Sequence, residues 1–132
     1  MNEIQENTNK ALFLRLRIAA FMGLSLLGGI IHSLFYVFDP SPKALAPSEM
    51  WIMLCFYIIY ILLIVIVLLT NIRLWRWVSV IIFAAVVAGA IWDSLYHIFI
   101  IHKTVIGVTS LLISGATGIL ALVLTIKLAL NR

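Results

Sequence analysis

At 132 residues, 64% hydrophobic and 11% charged, the chain has too few charges to cover a water-facing exterior, since soluble domains carry about a quarter. Its mean hydropathy is +1.20, so lipid is the expected solvent for most of it. The net charge of +4 does not point to nucleic acid as a partner, because the basic residues gather at the ends of apolar runs, where they snorkel to headgroups.

Residues 1–10, MNEIQENTNK, read as a short polar tail. A first apolar run extends from about Ala11 to Phe38, with Arg15 and Arg17 near its start. Asp39-Pro40-Ser41-Pro42 ends it, because proline lacks the amide donor and disfavours helix in the residue before it. Pro47-Ser48-Glu49 opens a second run, Met50 to Thr70, with Ser48 as the expected N-cap. Asn71 to Arg76 form a turn, a third run covers about Trp75 to Ile101, His102-Lys103-Thr104 form another turn, and a fourth run covers about Val105 to Leu128. A helix rises about 1.5 Å per residue, so about twenty residues cross the hydrocarbon core. All four runs suffice.

The expected architecture is therefore an all-α membrane protein, a single domain over residues 1–132 with four transmembrane helices. Lys10, Arg15, Arg17, Arg73, Arg76, Lys127 and Arg132 fall on one side, against Lys43 and Lys103 on the other. The positive-inside rule puts the seven, and both termini, in the cytoplasm of a plasma (inner) membrane protein. Ala44-Leu45-Ala46 resembles a signal-peptide cleavage site. The first run is longer than a signal core of about 7–15 residues, and Pro47 directly after the cut disfavours cleavage. The single cysteine, Cys55, lies in an apolar run and is expected to serve packing.

The chain also carries an internal repeat. Gly28–Phe38 reads GGIIHSLFYVF and Gly89–Phe99 reads GAIWDSLYHIF, 61 residues later. Five of eleven positions are identical, among them Gly28/Gly89 and Ser33/Ser94, and Gly29 pairs with Ala90. Two tandem helical hairpins, about 11–70 and 75–131, are expected, parallel repeats related by a pseudo-two-fold axis along the membrane normal.

In this alignment His32 matches Asp93, and Tyr36 matches His97. Counted from the expected helix ends, His32 lies about 9 Å and Asp93 about 12 Å below the outer boundary. Asp93 and His97 are four apart and share a helix face; Ser25, Gly28, His32 and Tyr36 make a matching stripe on the first helix. An aspartate near a helix centre costs about 2.5–3.5 kcal/mol on insertion scales. These groups should therefore be buried against one another and not face lipid. Ser33 and Ser94 are expected to bond back to carbonyls one turn earlier. Tyr36 and Tyr96 are expected as interface anchors, and His102 as a solvated turn residue. Small residues place the first and third helices at the centre, with Ser110, Ser114 and Gly118 on the fourth. The second helix reads as bulky all round and lipid-facing.

Three functional classes fit this pattern. The first is a non-enzymatic membrane component, an accessory subunit or binding protein in a homo-oligomer or larger complex, with no cofactor. No Walker, GxSxG, HExxH or paired-cysteine motif is present in the sequence. The second is a redox or cofactor protein in which His32 and His97 ligate a b-type haem, a quinone or a metal, with Asp93 orienting a histidine. The third is proton-coupled transport or conduction by a homodimer using the Asp/His pair. A lipid-acting enzyme with His32 or Asp93 as general base is a remaining reading.

Overall fold

A computed structural model describes residues 3–38, 47–102 and 104–130. They form four helices long and apolar enough to cross a membrane. Without water in the bilayer core, each backbone N–H and C=O needs a partner within its own segment, and the helix supplies one. Helix α1 is Glu3–Val37, α2 is Pro47–Leu69 and α3 is Arg73–Phe99. Helix α4 is Thr104–Leu130, α-helical over Thr104–Ser110 and Ala116–Leu130 with one π-helical turn at Leu111–Gly115.

Several expected boundaries shift. Residues 3–10 are helical and continue α1 instead of forming a tail; Lys10 pairs with Glu6 one turn earlier at 2.7 Å, which supports helix on a water-exposed stretch. Helix α2 begins at Pro47, a residue pre-organised for a first helical turn, so Ser48 sits inside the helix and not at its N-cap. The turn drawn over Asn71–Arg76 shrinks to Thr70–Ile72. His102 adopts a left-handed conformation (φ 59°) where α3 gives way to α4, a region histidine enters more readily than most residues. The Asp39–Ala46 connection, Lys103 and Arg132 lie outside the described residues.

The helices are arranged around a square. Helix α1 packs on α2 and α4, and α3 packs on the same two. The backbones of α1 and α3 approach at few points and stand on a diagonal. This corrects the expectation that the first and third helices form the centre. Helix α4 is what both of them grip, and small residues are the reason. A Cβ on Gly28 would come within 2.9 Å of the Ser114 amide nitrogen, and one on Gly107 within 2.7 Å of the Ser94 carbonyl oxygen. Gly118 meets Ser25 and Val87. Such close backbone approach is how helices associate in lipid, where burying apolar surface gives no gain. Gly89, aligned with Gly28, faces open space, so the two repeat glycines have different surroundings.

The π turn lies where α1 meets α4. Ser25 Oγ donates to the Ser114 carbonyl (2.8 Å), and Ser114 Oγ donates back to the Ser25 carbonyl (2.9 Å). Tyr60 of α2 joins through a 2.6 Å bond to Ser25 Oγ. Helix α2 is thus not lipid-facing all round. Tyr60, Leu63 and Val67 are buried at helical spacing and bring one stripe of it into the core, while Cys55 is exposed and packs no core. Below this polar layer Ile18, Met22, Leu63, Phe83, Val87 and Ala121 form an apolar core. At the far end two arginines cap helix C-termini. Arg15 Nη1 donates to the Leu68 carbonyl (3.2 Å) and Nη2 to Asn71 Oδ1, while Arg76 Nη1 donates to the Leu128 carbonyl (3.3 Å). Terminal carbonyls lack intrahelical donors, and a cation there also meets the negative end of the helix dipole.

Candidate metal centre

The diagonal helices meet through side chains near the end of the bundle where α3 turns into α4. His32 is five residues from the end of α1 and Asp93 six from the end of α3, about 7.5 and 9 Å below those ends. His32 Nε2 lies 2.9 Å from Asp93 Oδ2, and His97 Nδ1 lies 3.7 Å from Asp93 Oδ1. The two imidazole rings meet edge to face, centroids 4.8 Å apart at 87°. One donor atom from each of His32, Asp93 and His97 can be chosen so that all three lie within 4.8 Å of one another.

Each side chain is aimed by its own helix. His97 Nδ1 lies 2.8 Å from the Asp93 carbonyl one turn earlier. A carbonyl only accepts, so Nδ1 is the donor in this contact. That is how second-shell bonds set the tautomer of a metal-binding histidine. Ser33 and Ser94 bond back to the Gly29 and Ala90 carbonyls (3.0 and 2.8 Å), as their position in an apolar helix leads one to expect. Ser94 Oγ also donates to Ser110 Oγ (3.1 Å), tying α3 to α4 beside the site.

The three residues differ in burial. The His97 side chain is 1% exposed and that of His32 10%, while Asp93 is 51% exposed. The expectation that Asp93 is buried between helices is corrected. Asp93 stands at the edge of the buried face of α3, on the side away from Ser94 and α4. On the α2 side Phe56 and Tyr57 are half-buried, and Tyr57 reaches the Gly29 carbonyl and Ser33 of α1. The carboxylate therefore reaches the histidines from a half-exposed position.

The other residues singled out from the sequence surround this group without entering it. Ser25 and Gly28 belong to the contact with α4. Gly29 offers its carbonyl to Tyr57 Oη (3.0 Å), and Tyr57 is also bonded to Ser33. Tyr96 is exposed beside His97. The Tyr36 side chain lies outside the described ones. Tyr57, Tyr60 and Gly107 were missed. Two tyrosines three residues apart in an otherwise apolar span were the available signal, because a phenol in lipid seeks a partner.

Two nitrogens and a carboxylate oxygen are a donor set suited to zinc and other borderline divalent ions. Bonds of about 2.0–2.1 Å put tetrahedral donors about 3.3 Å apart, against separations of up to 4.8 Å for the donor atoms here. Compared with protein-family models, with curated proteins and with solved structures, the chain matches none.

Proposed function

We propose that this is a small multi-pass membrane protein that binds one divalent transition-metal ion, zinc in the first place, through His32, Asp93 and His97. The observation that carries this reading is the convergence of three donors from two diagonal helices. A hydrogen-bonded pair would be enough to hold α1 and α3 in register; a second histidine, buried and with its tautomer set, adds nothing to that role and completes a ligand set. This reading places the protein among non-enzymatic membrane components. The distribution of lysine and arginine supports both termini in the cytoplasm, with the metal centre in the outer half of the membrane. The diagonal placement of α1 and α3 agrees with tandem hairpins about a pseudo-two-fold axis.

The haem reading loses support. The imidazoles touch edge to face, which leaves no slot for a macrocycle between them. Proton conduction is also disfavoured in this arrangement, because the apolar layer around Met22 and Ile18 separates the site from the arginine end.

Zinc bound by the detergent-purified protein, measured by equilibrium dialysis and elemental analysis, tests the reading. One ion per chain is expected. His97→Ala and His32→Ala should each weaken binding more than about 100-fold, beyond the 10–100-fold of second-shell losses. His102→Asn, in the exposed turn, should bind as wild type. Retained binding in both histidine variants, or none in the wild type, would sink it.

A further inference from the structure

Resting on that reading, we infer that Tyr57 of α2 is a positioning residue of the metal centre: its phenol ties down the turn of α1 that carries His32 and so aims that imidazole at the metal. The Tyr57 hydroxyl donates to the Gly29 carbonyl at 3.0 Å and is also bonded to the Ser33 hydroxyl. Gly29 stands three residues before His32 and Ser33 one after it, so the two bonds bracket the ligand on its own helix. The ring lies along the same turn, with Cε1 3.6 Å from the place a Gly29 Cβ would take. The phenol also feels the charge of Asp93, which puts it beside the site.

Geometry gives this tie its importance. A metal centre needs its donors held within about 0.5 Å and 10–20°. Asp93 and His97 share α3, so one helix sets their relation. His32 comes from the diagonal helix, and its place depends on how α1 is rotated against its neighbours. Gly28, one turn before His32, seats α1 closely on Ser114 of α4. Gly29 and Ser33 lie about 100° round the helix from Gly28 and His32, and there Tyr57 holds α1 from the α2 side. Two contacts on different faces resist rotation where one would not. Without the second, the metal itself would have to order the end of α1, and that cost comes off its affinity. Tyr60 is the internal comparison. It bonds α1 in the same manner, but at Ser25, seven residues before His32 and about 10 Å along the helix.

Zinc affinity of the full chain in detergent, measured by competition with a chromophoric chelator, tests the assignment together with the visible bands of the cobalt(II)-loaded protein, which report ligand geometry. Tyr57→Phe keeps the ring and removes only the hydroxyl. It should weaken zinc about 10–100-fold, keep one ion per chain and shift the cobalt bands. Ser33→Ala, which removes a bond from the α1 side, should weaken zinc in the same sense. Tyr60→Phe should keep wild-type affinity and wild-type bands, and the metal-free unfolding midpoints of the two tyrosine variants should be alike. Wild-type affinity in Tyr57→Phe would overturn the positioning role and leave the metal site standing; should that variant fail to fold, wild-type affinity in Ser33→Ala would do the same. Equal weakening by Tyr60→Phe, or a far lower metal-free midpoint in Tyr57→Phe than in Tyr60→Phe, would also overturn it, since either marks general packing of α2. A wild type that binds neither zinc nor cobalt would remove the metal site and this inference together.

Discussion

The two halves of the bundle solve the same problem, holding helices together in lipid, by different means. Through the middle and toward the arginine end, α1, α3 and α4 lock together through the Gly28 and Gly118 contacts, reciprocal serine bonds and an apolar core that includes Phe83, Met22 and Ile18. Around His32, Asp93 and His97 the core gives way to polar groups, and a half-exposed carboxylate stands at the edge of α3. One half spends its contacts on rigidity, and that rigidity fixes the helices whose other ends aim three donors at one point. The contrast teaches that the site is assembled by a scaffold which the site itself need not stabilise.

The largest effect should come from hollowing the scaffold. Phe83 is fully buried against Tyr60, and Phe83→Ala should cost about 3–5 kcal/mol, read as a lowered unfolding midpoint in detergent. Zinc stoichiometry at low temperature should survive; parallel loss of both would show that the halves are not separable.

Next comes a paired substitution on the aligned glycines. Gly28→Ala drives a methyl into the α4 backbone and should cost about 1–3 kcal/mol. Gly89→Ala meets open space and should stay within about 0.5 kcal/mol or gain slightly from helix propensity. Equal effects would mean that the repeat has equivalent packing in its two copies, against the asymmetry described here.

The smallest effect is Tyr60→Phe, which removes the bond to Ser25 Oγ but leaves Ser25 its bond to the Ser114 carbonyl. Interhelical hydrogen bonds in membranes are worth about 0.6 kcal/mol on average and up to about 1.7, so a small drop in midpoint is expected. A loss as large as that of Phe83→Ala would make the polar layer, and not the apolar one, the main support.

The span structure was legible because about twenty consecutive apolar residues have one stable solution in lipid. Counting from the proline and lysine stops also put His32, Asp93 and His97 at neighbouring depths, and their expense in lipid singled them out. The lateral arrangement was not legible. In a soluble helix the polar face marks the outside, but here core-facing Leu63 and lipid-facing Leu62 are the same residue type. Tyr60 and Gly107 were overlooked for that reason, and the exposure of Asp93 depends on where α2 leans, which no local pattern records. The π turn likewise follows from the meeting of Ser25 with Ser114, eighty-nine positions apart.

X-ray absorption at the zinc edge of the loaded wild-type protein tests the central claim most directly. The account predicts two imidazole scatterers and oxygen at about 2.0–2.2 Å. Sulfur at about 2.3 Å, which only Cys55 or a methionine could supply, or a shell of oxygen without imidazole, would contradict it.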